Sequence, residues 1–267
     1  TLDPFYEGVA GYAYLPYYDG WDDALEGDVF LDTYNLNLDS YASHLISHEI
    51  GHALGLDHPF EGANVADLKN YESVMSYDSN FQGYSSDPMP IDIKAIQFLY
   101  GSNSYANSGN DFYRWTTYED LNFRNSIIDT GGKDLIDLSS HTNGVFVNLN
   151  PDTWSSLSYN GNVSQFSNED NWVYEFGQFY ISENSIIEDV NTSEHSDLIY
   201  DNNSINIINS GSGNDTIYHL GNSDIINGGY GSDRIILLNK SFSDIQLITE
   251  NESNYTIEFS DYNLTFS

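Results

Sequence analysis

Three histidines and one glutamate stand where they could hold and use a metal ion. The segment His48-Glu49-Ile50-Gly51-His52-Ala53-Leu54-Gly55-Leu56-Asp57-His58 sets two of the histidines four residues apart. On a helix that spacing projects both imidazoles from one face, where they can share an ion. Gly55 tolerates the positive φ with which a chain leaves a helix sharply, and His58 can then swing back as a third nitrogen ligand. Three protein ligands leave a fourth position for water, the arrangement of a catalytic zinc rather than a structural one. Glu49, beside His48, is the candidate general base for a zinc-bound water, whose pKa the metal lowers to about 7. A bare H-E-x-x-H arises by chance. Gly55 and His58 at fixed offsets make coincidence a poor account of this one. His44, one turn before His48, reads as a solvated or supporting side chain rather than a ligand. His141, His195 and His219 fall in a β-rich stretch and are expected to have no catalytic role.

The elements around the histidines follow from composition and punctuation. Val9–Leu15 and Asp28–Leu31 read as strands rich in Val, Tyr and Phe. Ser40 can cap a helix running through Leu54, with Gly55 ending it. Ile91–Tyr100 reads as a second helix, opened by Pro88 and Pro90 and closed by Gly101. After about Ser102 the helical pattern gives way to short strands between Asn, Ser, Gly and Asp clusters, which predicts an all-β second domain. The expected architecture is an α+β domain over residues 1–104 and a β-rich domain over 105–267.

Within that second part, Ser210-Gly211-Ser212-Gly213-Asn214-Asp215-Thr216-Ile217-Tyr218 and Gly228-Gly229-Tyr230-Gly231-Ser232-Asp233-Arg234-Ile235-Ile236 match the calcium-binding nonapeptide G-G-x-G-x-D-x-U-x. Asp197, Asn206, Asp215, Asp224 and Asp233 are nine apart, and Ile199, Ile208, Ile217, Ile226 and Ile235 follow each by two. That register predicts a parallel β-roll over about 192–236, isoleucines inward, with a loop before each short strand. Successive loops alternate sides, so Asp197, Asp215 and Asp233 share one side and Asn206 and Asp224 the other. Gly211, Gly213, Gly229 and Gly231 permit the positive φ that turns carbonyls toward an ion, while Asp215 and Asp233 supply charge. The expectation is one calcium between the 210–215 and 228–233 loops, a second toward Asp197 left open, and little or none between Asn206 and Asp224. A Gly- and Asn-rich loop without metal is the plainer alternative, and five repeats in register argue against it.

Seven Lys and Arg against 41 Asp and Glu give a net charge of −34. Such a polyanion is repelled by nucleic-acid phosphates and anionic membrane surfaces, so neither is an expected partner. No apolar run is long enough to cross a bilayer, and Thr1 does not open a signal peptide. Most of the acids read as a solvated surface and some as oxygen cages for a hard cation. Cysteine is absent, which excludes disulfides, a thiolate nucleophile and Cys-type zinc sites. The composition fits a monomer exported from a bacterium and stabilised by metal ions.

Ser73-Val74-Met75-Ser76-Tyr77 resembles the Met-turn of metzincins. Pro59 after the third histidine, and the run from Pro90 to Gly101, make the chain resemble the serralysins in particular. These are secreted bacterial zinc endopeptidases with C-terminal calcium repeats. The resemblance implies a metzincin catalytic domain followed by a β-roll or sandwich, with one zinc, several calcium ions and protein or peptide substrates. Met75 would be the hydrophobic floor beneath the zinc, and Tyr77 would reach the metal and then stabilise the oxyanion; the plainer reading of both is core packing. Water would attack the peptide carbonyl, and Glu49 would carry its proton to the leaving amine. Gly8–Pro16 resembles the strand that borders the cleft and pairs with extended substrate.

In Asp129-Thr130-Gly131-Gly132-Lys133-Asp134, the resemblance implies calcium binding by Asp129, Gly131, Gly132 and Asp134, together with a later glutamate matching Glu188. Gly109 and Asp111 fall near a third such site. Serralysins carry a long helix and several strands before the counterpart of Gly8, and a secretion tail after the repeats. The expectation is therefore an internal piece of a longer secreted protein, with its catalytic domain N-terminally incomplete. A competing reading is a calcium-stabilised binding or adhesion module whose metzincin part is inactive.

Overall fold

The computed structural model describes residues 10–16, 27–32, 40–60, 68–77, 84–116, 123–159, 177–251, 254–261 and 263–267. They fall into two compact units, one within residues 1–103 and 122–126, the other within 104–121 and 127–267. Among the described residues no helix is long and apolar enough to cross a membrane.

The first unit is built around a helix. Strands β1 (Gly11–Ala13) and β2 (Val29–Leu31) pair antiparallel, Tyr12 opposite Phe30 with their rings stacked 4.9 Å apart. The expected first strand is thus shorter at both ends, and its Val9 lies outside the described residues. Helix α1 (Ser40–Ala53) buries Ala42, Leu45, His48 and Glu49, a spacing of three and four that keeps one face inward. It ends on a Schellman turn: Leu56 N–H donates to the Gly51 carbonyl at 2.9 Å and Gly55 N–H to that of His52 at 2.8 Å. Gly55 takes the required positive φ of 93°. A two-residue strand β3 (Tyr84–Ser85) precedes helix α2 (Pro90–Tyr100). Proline at the first position of α2 forgoes an N–H that would lack a helical partner anyway, and Gly101 closes the helix with φ 84°.

The second unit is almost entirely strand. From β4 (Phe112–Arg114) the chain runs through β5 (Phe123–Ile127), which it shares with the first unit, to β6 (Leu135–Asp137), β7 (Gly144–Asn148), β8 (Thr153–Tyr159) and β9 (Phe179–Ile181). It then winds as a roll through β10 (Asp189–Asn191), β11 (Leu198–Tyr200), β12 (Ile207–Asn209), β13 (Ser212–Gly213), β14 (Thr216–His219), β15 (Ile225–Asn227), β16 (Tyr230–Gly231) and β17 (Arg234–Leu237). Strands β6, β10, β12 and β15 lie parallel in one sheet and β7, β11, β14 and β17 in the other. The register stacks Ile199 on Ile217 on Ile235, and Ile208 on Ile226. Ile199, Ile208, Ile217 and Ile226 are buried between the sheets, each contributing about 1.5–3 kcal/mol by leaving water. Strands β18 (Leu247–Asn251), β19 (Asn254–Glu258) and β20 (Asn263–Phe266) form an antiparallel meander, whose last member pairs with β15.

Candidate metal centres

The three histidines meet. His58 Nε2 lies 3.1 Å from His48 Nε2 and 3.0 Å from His52 Nε2. The other ring nitrogen of each helical histidine is spoken for. His48 Nδ1 donates to the Val74 carbonyl at 3.0 Å and His52 Nδ1 to the Leu56 carbonyl at 2.8 Å. Those bonds fix the tautomer, so the Nε2 lone pairs of both rings point at the common centre. Unprotonated nitrogens facing one another across 3 Å repel, and a cation between them removes the repulsion. The donor set therefore fits a divalent metal with a nitrogen preference. Burial is the largest cause lowering the His48 pKa, to about 4, so its ring is neutral and able to ligate.

Glu49 is buried at 4 % exposure, and its Oε2 has no hydrogen-bond partner among the described residues. Removal from water raises its pKa to about 7. Strand β1 runs close beside it: a Cβ on Gly11 would stand 3.0 Å from both Cγ and Oε1 of Glu49, so glycine there leaves the carboxylate its room. Tyr77 is exposed at 63 %, with its ring centroid 5.4 Å from that of His48 and 4.6 Å from that of His58. Phe60 stacks on His58 at 4.9 Å and also touches the Tyr77 ring, at 4.9 Å. Met75 is buried under α1, where its sulfur would stand 2.5 Å from a Cβ on Gly51. Among the described residues His44 is outside the ligand cluster; its ring lies 6.0 Å from that of His48, and its Nδ1 bonds to the Ser85 carbonyl at 3.0 Å.

A residue that spacing did not single out holds this arrangement together. Asp92, in the first turn of α2, is 2 % exposed and accepts from Ser73 Oγ and Val74 N at 2.6 Å and from Met89 N at 2.9 Å. It clamps the 73–75 turn whose Val74 carbonyl orients His48. The sequence shows an acid beginning a helix; its partners lie 18 and 19 residues upstream, where no local pattern points.

In the second unit, Asp111, Asp129 and Asp134 converge. Asp134 Oδ1 accepts from Asp111 N at 2.7 Å, Asp129 Oδ1 from Gly131 N at 3.0 Å, and Glu188 Oε2 from Asp134 N at 2.9 Å. Tyr113 also donates to Asp129, at 2.6 Å. The second oxygens of Asp111 and Asp134 are buried with no hydrogen-bond partner among the described residues. Burial raises the Asp134 pKa to about 6, with the charges of Asp129 and Glu188 adding to it. Gly132 lies so near the Gly109 carbonyl that a Cβ would sit 1.6 Å from its oxygen.

The roll turns alternate as their period implies. Asp197 N donates to Asp215 Oδ1 at 2.8 Å and Asp215 N to Asp233 Oδ1 at 3.0 Å, while Asn206 N donates to Asp224 Oδ1 at 2.8 Å on the other side. Gly211, Gly213, Gly229 and Gly231 all have positive φ. The loops stack through the parallel pair β13 and β16, with Gly231 so close that a Cβ would meet the Gly213 oxygen at 1.5 Å. Asp215 Oδ2 is buried without a hydrogen-bond partner among the described residues.

No family model matches the chain. Among curated proteins it is 35 % identical over 160 residues to Serralysin B of Dickeya chrysanthemi, covering 49 % of this chain and 33 % of the relative. It is 32 % identical over 194 residues to Serralysin C of the same organism, 59 % of this chain and 39 % of that one. The match to Metallopeptidase AprA of Pseudomonas marginalis is 35 % over 198 residues, 59 % of this chain and 41 % of the relative. These matches span only about a third to two fifths of the relatives' own length.

Proposed function

We propose, because the chain is a relative of the serralysin-type metalloproteases over the part they share, that it belongs to a secreted zinc endopeptidase with a metzincin catalytic part. The observation that carries this reading is the meeting of three imidazole nitrogens, with the buried Glu49, whose Oε2 has no hydrogen-bond partner among the described residues, directly after His48 in the same helix. His48, His52 and His58 are the zinc ligands. When bound, zinc polarises a peptide carbonyl and makes water a nucleophile near neutral pH. Glu49 takes the proton of the attacking water and returns it to the leaving amine. Its burial keeps competing donors away from the carboxylate. Tyr77, exposed beside His48 and His58, donates a hydrogen bond from its hydroxyl to the developing oxyanion. Met75 fills the floor under the histidines and, with Asp92, keeps the 73–77 turn in register.

The acidic clusters are read as calcium sites. Asp129, Gly131, Gly132, Asp134 and Glu188 form one, and Gly211, Gly213, Asp215, Gly229, Gly231 and Asp233 another. Inward carboxylate oxygens without protein donors suit a hard cation.

Incubation with casein tests the activity. Cleavage that stops with a zinc-selective chelator and returns with zinc is the expected result. Casein left intact by zinc-replete, folded protein would overturn the protease reading and favour a calcium-stabilised binding module.

A further inference from the structure

The two sides of the roll are built differently. On one side Gly211, Gly213, Gly229 and Gly231 take positive φ in the turns that lead to Asp215 and Asp233. On the other, the turn over 201–206 has no glycine and that over 219–224 has only Gly221. Each of these turns instead opens on an ionisable side chain, Asp201 and His219, which stand 18 residues apart and therefore one above the other. Both side chains have 0 % exposure. His219 Nδ1 lies 2.6 Å from Asp201 Oδ2 and 3.1 Å from Asp224 Oδ2.

The remaining oxygens are held by backbone. Leu220 N–H donates to Asp201 Oδ1 at 2.7 Å and Asn206 N–H to Asp224 Oδ1 at 2.8 Å. Behind them, the Asn206 amide donates to the Glu188 carbonyl and to Asn202 Oδ1, and the Asn202 amide to the carbonyls of Leu149 and Ile187. Two carboxylates thus face each other out of water, and His219 is the basic group between them. An uncompensated buried pair of like charges is costly. Asp201, His219 and Asp224 also lie close enough together to hold a metal ion, so a bound metal is the rival reading that the test below must separate.

We propose that the imidazolium of His219 is the built-in cation of this side of the roll, standing between Asp201 and Asp224 where the other side has a cage for calcium. One side then needs an ion from solution, and the other carries its own. Burial by itself pushes an imidazole's pKa down, but the hydrogen bonds and charges of Asp201 and Asp224 outweigh it and raise His219 from 6.5 to about 9. The folded pKa lies above the unfolded one, so the stabilisation is complete below about 6.5 and is lost as pH rises through about 9. The inference stands on this side's geometry alone, whether or not the glycine side takes calcium.

The test uses the whole chain in calcium chelator. Nuclear magnetic resonance follows the His219 ring, assigned through its own backbone, while hydrogen exchange follows the amides of Asn206 and Leu220. The expected result is an imidazolium at pH 7 whose titration midpoint is unchanged by added calcium. The two amides should stay protected in chelator at pH 7 and lose at least tenfold of that protection, corrected for intrinsic rates, at pH 10. His219→Gln should show that loss already at pH 7; because the parent chain alone supplies the first readouts, a variant that fails to fold does not remove the test. A neutral ring at pH 7 would overturn the proposal. So would exposure of both amides on chelation, or a metal ion bound stoichiometrically at His219.

Discussion

The histidine cluster of the first unit and the acidic turns of the second both gather ligands, yet they differ in what they suffer without an ion. His48 is neutral at physiological pH, its Nδ1 is satisfied by Val74, and the ring packs as an apolar side chain would. The cluster's nitrogens repel one another without an ion, but the neutral His48 ring leaves no charge buried there. Asp134, Asp197 and Asp215 are buried carboxyl groups whose pKa values rise to about 6, 6 and 7, with removal from water the largest cause in each. Ionised and unfilled, they oppose folding. On the proposed reading the difference separates two uses of metal in one chain: zinc would serve chemistry, and calcium would hold the scaffold.

This division can be broken at either end. The largest expected effect is on turnover. Tyr77→Phe should lower kcat by about 10²–10³-fold with KM little changed, because an oxyanion donor acts mainly in the transition state. Steady-state kinetics on a peptide substrate check this, and an unchanged kcat would reduce Tyr77 to a packing residue between His58 and Phe60.

Next in size is damage to the side proposed to hold calcium. Gly231 has φ 150°, and a Cβ there would meet the Gly213 oxygen at 1.5 Å. Gly231→Ala should destabilise the second unit by about 1–3 kcal/mol and weaken calcium binding, while zinc content stays the same. Calorimetry with calcium and with chelator separates the two readouts. Loss of zinc in this variant would contradict the division.

The smallest effect is a pH slope. In calcium-free protein, Asp197 and Asp215 titrate near 6 and 7, above their ordinary 3.8. A folded pKa above the unfolded one means that their contribution is full below about 4 and is lost as pH rises through 6 to 7. The thermal midpoint in chelator should therefore fall between about pH 5 and pH 8, and saturating calcium should flatten that fall. A midpoint in chelator that rises over the same range would show that these carboxyls are not strained.

Legibility in the sequence followed the range of the interactions. The convergence of His48 and His52 was readable because helix geometry links residues four apart, and the Schellman turn at Gly55 is equally local. The side assignment of the roll was readable because a nine-residue period fixes which turns stack; Asp197, Asp215 and Asp233 do lie in one ladder. Asp92 escaped because its partners Ser73 and Val74 lie in another element, and a buried acid at a helix start looks like any other. His219 was dismissed as outside the catalytic part, although its place 18 residues after Asp201, the same position two repeats on, held the signal. The first strand was overdrawn at its far end because Leu15 carries strand propensity but lies beyond the Gly11–Ala13 register of the β1–β2 pair.

The most direct test of the account is the metal content and hydrolytic rate of Glu49→Gln. Glu49 follows His48 in the helix and lies outside the histidine cluster, so the variant should hold one zinc per chain as the parent does. Its hydrolysis of casein should fall by roughly 10²–10⁴-fold, the scale of losing a general base. A variant stripped of zinc, or one that still cuts at the parent rate, would contradict the separation of ligands from base on which the mechanism rests.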